Sequence, residues 1–344
     1  VVLLERKPIW IRSGLWGGDM KLLFSTDTDG GSVTVIDLDG DHNTPIAVIA
    51  IGNGPRGAVR FTKNGRGFVA NHAGNTVSEI DARSLREINR ITVGIAPIGV
   101  AIVPGDQFII VSNAGDNTVS IVDINKRQEI YQVPVGREPR HPDITPSGDY
   151  AYVPVSGADY ISKIDLRPLR TDQPSQVKEL ERIYVGKGAS PYSAAVSPDG
   201  KRVISANNQI NYISIIDTST DSILSNIDVG SKGSRGTTFT PDSSIAFVSI
   251  EDTSEIVAIN LQSNSLESRM SAGPGPRGLV YDAGLQTIFS SSFARTMAAG
   301  RQPNSVAALQ FAAMSIAAFT NPKPQISDIS VGAGPCSVSI FTVP

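Results

Sequence analysis

Apolar and polar residues alternate with a period of two over short runs along the chain, as in FIIVSN from Phe108, TVSEID from Thr76 and TVSIVD from Thr118, with Asn, Asp and Gly at the breaks. Such runs predict β-strands whose side chains point alternately to two faces. A longer rhythm lies over this one. A small or β-branched residue, Gly, a few small residues, usually Pro, and an alternating run recur as IGNGPRGAVRF from Ile51, VGIAPIGVAIV from Val93, VGREPRHPDIT from Val135 and VGKGASPYSAAV from Val185. The same phrase returns as VGSKGSRGTTF from Val229, AGPGPRGLVYD from Ala272 and VGAGPCSVSIF from Val331. Seven copies spaced by about 43 residues signal seven repeats of one supersecondary unit.

Each phrase leads into three more strand signals, such as FVAN, TVSEIDARS and EINRITVG in the second unit, so each unit predicts a four-stranded antiparallel meander. A lone sheet of this kind cannot bury both faces, whereas sheets stacked radially about an axis bury one another. The predicted fold is therefore all-β, a seven-bladed β-propeller of four-stranded blades. The ends of the chain suggest how it closes: KLLFST, SVTVIDLDG and PIAVIAIG supply three strands of a blade, and the C-terminal CSVSIFTVP supplies the missing innermost one. The reading is a single β-propeller domain over 1–344, with an extension at 1–17, a closing strand at 335–344 and loop insertions at 167–182 and 292–305.

FVAN (68–71), IVSN (110–113), YVPV (152–155) and ISAN (204–207), each followed by TVS or YIS and an Ile/Val-Asp pair, resemble the repeats of the YVTN family of propellers. The sixth and seventh copies depart from the pattern as FVSI and IFSS. The resemblance implies the propeller fold. For function it implies only a range, from surface-layer modules and exported proteins to lactonase-like and lyase-like enzymes.

A net charge of −3 gives no general basic field for a nucleic-acid backbone, so no nucleic-acid partner is expected. A single cysteine, Cys336, excludes an intramolecular disulfide framework and a Cys-cluster metal site. The apolar stretches, VVLL at the start and AALQFAAMSIAAF over 307–319, are too short or too polar to span a bilayer. Export is expected only if a leader precedes Val1, and a cytoplasmic location otherwise.

In a propeller, the loop leading into each innermost strand and the loop between the second and third strands open on one face, where ligand groups collect. The lead-in loops place Arg56, Ile98, Arg140, Tyr192, Arg235, Arg277 and Cys336 at equivalent positions around the ring. Four arginines there either staple blades through local acceptors or converge on the axis to hold a carboxylate or phosphate. The second-to-third strand loops add His72, Asn113, Asn207 and Glu251, the asparagines also serving as turn-closing residues. Arg56, Arg140, Tyr192, Arg235, Arg277, Asn113, Asn207 and Glu251 are the expected ligand-binding set. His141, where six repeats carry Gly or Ser, and His72 are the candidate acid/base residues.

No cofactor is indicated; a divalent metal held by the two histidines with Glu251 or Asp27 is a weaker alternative. Arg295, Met297 and Arg301, in the insertion 292–305, would form a lid over the funnel. The expected partner is an anionic small organic molecule in the axial funnel, with lyase, cyclase or lactone-opening chemistry. The alternatives are a non-catalytic binding or structural module and a scaffold subunit of a redox complex.

Overall fold

The computed structural model describes residues 19–40, 44–293, 304–312 and 324–344. These form seven four-stranded antiparallel sheets arranged as a seven-bladed ring. In the first blade Pro335–Val343 pairs antiparallel with Met20–Asp27, setting Leu23 opposite Ile340 and Phe24 opposite Ser339. The ring is thus closed by the last strand of the chain, as the orphan strand signal predicts. His42, the extension 1–17 and the proposed lid residues Arg295, Met297 and Arg301 lie outside the described residues.

Alternation fixes the packing, because each strand sends one set of apolar side chains to the blade before it and the other set to the blade after it. Among the described residues, one apolar cluster fills each junction between neighbouring blades. Leu22, Phe24 and Val33 meet Val59, Val69 and Ile80 between the first and second blades. Leu23, Ile36 and Val338 meet Phe289, Val306 and Ile329 where the seventh blade abuts the first. Each fully buried Leu, Ile, Val or Phe contributes roughly 1.5–3 kcal/mol, so the closing strand is held by its clusters as well as its ladder.

The innermost strands are irregular where they begin. Register shifts lie between Arg56 and Arg60, Pro97 and Gly99, Pro191 and Ser193, Ser234 and Thr237, and Pro276 and Leu279. An extra residue at such a point re-aims the side chain beside it, which turns the lead-in residues toward the axis.

The fourth blade departs further: only Asp143–Ile144 remains as its innermost strand. Pro139 and Pro142 remove two backbone donors there. His141 instead forms a parallel bridge to Ser193 of the fifth blade, receiving the Ala194 amide at 3.3 Å and donating its own to Tyr192 at 3.4 Å.

The insertion in the fourth blade is shorter than the 167–182 expected. Residues Arg167–Thr171 and Pro174–Gln176 form two short helical turns, and Lys178–Tyr184 is already the outermost strand. Burial of Leu169 and Val177 in the core between the third and fourth blades ends the excursion early.

Candidate functional site

Each lead-in residue reaches the axis past a small neighbour. A side chain at Gly57, which has φ +73°, would place its Cβ 2.9 Å from the Ile98 carbonyl, and one at Gly99 would come within 2.8 Å of the His141 Cα. The ring of innermost strands is packed too tightly there for anything larger. His141 occupies the same repeat position, and the break in its strand makes room for it. Its ring reaches past the third blade until Nδ1 lies 3.3 Å from where a Gly57 Cβ would be, and it tilts against Tyr192 with ring centroids 5.0 Å apart.

The arginines divide into two groups. Arg235 and Arg277 share Glu251: Nε of Arg235 donates to Oε2 at 2.6 Å and Nε of Arg277 to Oε1 at 2.7 Å. Arg235 also lies over the Tyr192 ring at 4.3 Å, and Arg277 over the Phe293 ring at 3.5 Å. This layer is charge-balanced in part and held by cation–π stacking.

The second group is not balanced. Arg140 stacks on Tyr192 at 5.2 Å, and its one ion pair, with half-exposed Glu138 at 3.5 Å, is weak. Arg56 has no carboxylate partner among the described residues, and its buried Nε has no hydrogen-bond acceptor there. Both guanidinium groups, together with Arg60 and Arg235, act on His141, which burial first and these charges second hold down to a pKa of about 3.

Below this layer a channel of about 510 Å³ follows the axis. Its upper end is lined by His141, Tyr192, Arg235, Arg277 and Cys336, and its lower end by Phe61, Phe239 and Phe341. Arg60 and Asp143 face it midway, where burial raises the Asp143 pKa against the opposing effect of Arg60. Thr237 and Ser339 line the same space, but their hydroxyl oxygens are turned away from it, buried without a hydrogen-bond partner among the described residues.

Residues 93–298 match the YNCE-like beta-propeller family. The chain belongs to that family. No curated protein sequence matches it. Among solved structures it is similar to the periplasmic gluconolactonase PpgL of Pseudomonas aeruginosa, with a TM-score of 0.77 and 18% identity over 95% of this chain and 100% of that one. It is also similar to hydrazine synthase of Kuenenia stuttgartiensis, with a TM-score of 0.68 and 19% identity over 85% and 97%. A functionally unknown protein from Desulfotomaculum acetoxidans scores 0.74 at 14% identity over 94% and 99%. At these identities the likeness shows the fold.

Within this YNCE-like propeller, the structure brings together Arg56, Arg140, Tyr192, Arg235, Arg277, Glu251 and His141. It separates others from them. Asn113 and Asn207 are wholly buried within their blades, Asn113 donating to Ser120 at 2.7 Å and Asn207 to Ser214 at 3.0 Å, which leaves them no surface for a ligand.

His72, a candidate acid/base residue from the sequence, has a structural role in the repeat. Its Nδ1 lies 3.3 Å from the Pro97 carbonyl of the next blade, just as the hydroxyls of Thr28 and Ser156 bond the carbonyls of Pro55 and Pro191. Glu251 stands at that same repeat position and has exchanged the staple for two arginines.

Of the four arginines expected to hold an anion together, Arg235 and Arg277 already share Glu251. No group of three or more His, Cys, Asp or Glu among the described residues is arranged to hold a metal. No helix among them is long and apolar enough to cross a membrane. Arg60 was missed. It stands four residues past the lead-in arginine, and the intervening bulge hides which residues of the strand face the axis.

Proposed function

We propose that a small organic anion binds at the upper mouth of the axial channel, held at Arg56 and Arg140 beside His141, and that His141 moves a proton in chemistry on that molecule. One observation carries the reading: these two guanidinium groups lack a strong counter-ion, while their neighbours Arg235 and Arg277 share one carboxylate, that of Glu251, through short ion pairs. Both side chains are partly buried, which makes unbalanced charge costly, and a bidentate carboxylate lowers that cost.

Lactone opening is the chemistry that fits best. Water adds to the acyl carbon, the ring C–O bond breaks, and the products are a hydroxyl and a carboxylic acid, which loses its proton to solvent and is held as the carboxylate by Arg56 and Arg140. A neutral His141 takes the proton of the attacking water and returns it to the leaving oxygen. The similarity to a gluconolactonase supports this choice without deciding it.

A non-catalytic module for binding a protein finds less support. Among the described residues, the exposed large apolar side chains are scattered: Val48, Ile88, Leu180, Tyr184 and Leu224 lie on the outermost strands of four blades, and Ile95 lies in the lead-in loop of the third.

Melting temperatures measured against a panel of small carboxylic acids and lactones test the proposal, since a bound ligand stabilises by mass action. At least one acid should raise the melting temperature of the wild type and fail to do so for Arg56→Ala/Arg140→Ala. For any lactone turned over, His141→Ala should lose about 100-fold in rate with its melting temperature kept. A shift that survives in the double variant, or no shift with any acid, overturns the reading.

A further inference from the structure

Two imidazoles touch the arginine cluster, and they differ in what they can do with a proton. His72 is committed through Nδ1–H to the Pro97 carbonyl. Neither ring nitrogen of His141 is hydrogen-bonded to a described residue, and its ring borders the channel.

The groups that face His141 come from four blades. Arg140 and Asp143 flank it on its own strand, Arg56 and Arg60 reach it from the second blade, Tyr192 from the fifth and Arg235 from the sixth. Asp143 accepts the amides of Ile144 and Val196, both at 2.9 Å, and Arg235 is tied to Glu251, so the charge felt by the imidazole is dominated by guanidinium.

We propose that anion binding in this channel is coupled to proton uptake by His141, so that the site takes up its ligand as an anion and a proton together. The inference rests on the anion-site reading above. In the empty channel, burial and four arginines keep the ring neutral, with its pKa near 3. A unit negative charge about 4 Å away, at an effective dielectric of about 20, raises a neighbouring pKa by about three. His141 then moves to the neighbourhood of 6.

The sign follows from linkage. A group with a higher pKa in the bound state strengthens binding as pH falls between the bound and free values. Affinity should therefore rise about 10-fold between pH 7 and pH 5. The consequence for chemistry is specific: an imidazole too weak a base in the empty site enters the range useful for general acid–base work only when a ligand's own charge is present, so the lactones opened here are ones that carry a carboxylate besides the ring ester.

Sulfate is a suitable probe because it stays doubly charged throughout this pH range. Its affinity is measured by titration calorimetry at pH 7, 6 and 5 in buffers of different ionisation heat. The measurements cover the wild type and the His141→Gln, His72→Gln and Asp143→Asn variants. Because sulfate carries twice the charge used above, the expected result is at least 10-fold and up to about 100-fold tighter binding at pH 5, with proton uptake approaching one per sulfate, and a flat profile in His141→Gln alone. Ring resonances of the three histidines, followed by NMR in the wild type with and without sulfate, give the same answer without a variant: the His141 pKa should rise on binding. Sulfate binding with a flat wild-type profile, or a slope that persists in His141→Gln, overturns the coupling. Failure of sulfate and of every organic acid to bind at any pH overturns the anion-site reading beneath it.

Discussion

At the scale of single residues, the repeat lets each position be read against its six counterparts. Asn71 donates to Thr76 and Ser78, and Asn113 to Thr118 and Ser120. In the first blade the equivalent residue is Asp27, and the same bonds run in reverse, with Ser32 and Thr34 donating to Oδ2 and Ser25 to Oδ1. Burial outweighs these hydroxyls and pushes the Asp27 pKa up to about 6. A raised folded-state pKa means that Asp27 favours the folded state fully below its unfolded value near 3.9, and that this support is lost as pH rises through about 6. Asp27→Asn, which restores the residue type found in three of the other six blades as Asn71, Asn113 and Asn207, should therefore stabilise the protein by about 1–3 kcal/mol at pH 7.5 and by about a third as much at pH 4.5. Urea unfolding of both proteins across that range checks this, and a difference that does not vary with pH would contradict it. The comparison also cancels the opposite contribution of His141, whose lowered pKa costs stability as pH falls below about 6.5.

This scale also marks what the sequence could and could not tell. Arg56, Arg140, Arg235 and Arg277 were legible because the repeat aligns them, and His141 because it breaks a run of Gly and Ser. Their division into a pair tied to one carboxylate and a pair without a strong counter-ion was not legible. It depends on Glu251 reaching Arg235 across its own sheet and Arg277 across a blade boundary, a contact set by the curvature of the ring.

At the scale of strands, the alternating pattern located the blades, and the unpaired signals at the two chain ends located the seam. Bulges and prolines were harder to anticipate, because one extra residue inverts which side chains face the axis. The seam holds the ring by one strand, Pro335–Val343, whose Val338 and Val343 are buried in the clusters on either side of the first blade. Deleting 335–344 should expose the edge of Met20–Asp27 and open the ring, giving a lower melting temperature and oligomers by light scattering. A truncated protein that remains monomeric with unchanged heat resistance would show that the strand is dispensable.

At the scale of the molecule, seven near-identical blades provide a rigid cylinder, and what distinguishes this one is the asymmetry of its axis. The first and third blades present Cys336 and Ile98 to the upper end, while the second, fourth, sixth and seventh present arginine and the fifth a tyrosine between two of them. The positive charge that remains after Glu251 is counted is concentrated around His141, at the top of a channel wide enough for a small organic molecule. A crystal structure of the protein grown in sulfate or in a stabilising organic acid tests this account most directly. The account predicts an anion between Arg56 and Arg140 within hydrogen-bond reach of His141, with Glu251 still bridging Arg235 and Arg277. An anion that has displaced Glu251 from its two arginines, or a channel holding only water with Arg56 turned onto a carboxylate of the protein, would contradict it.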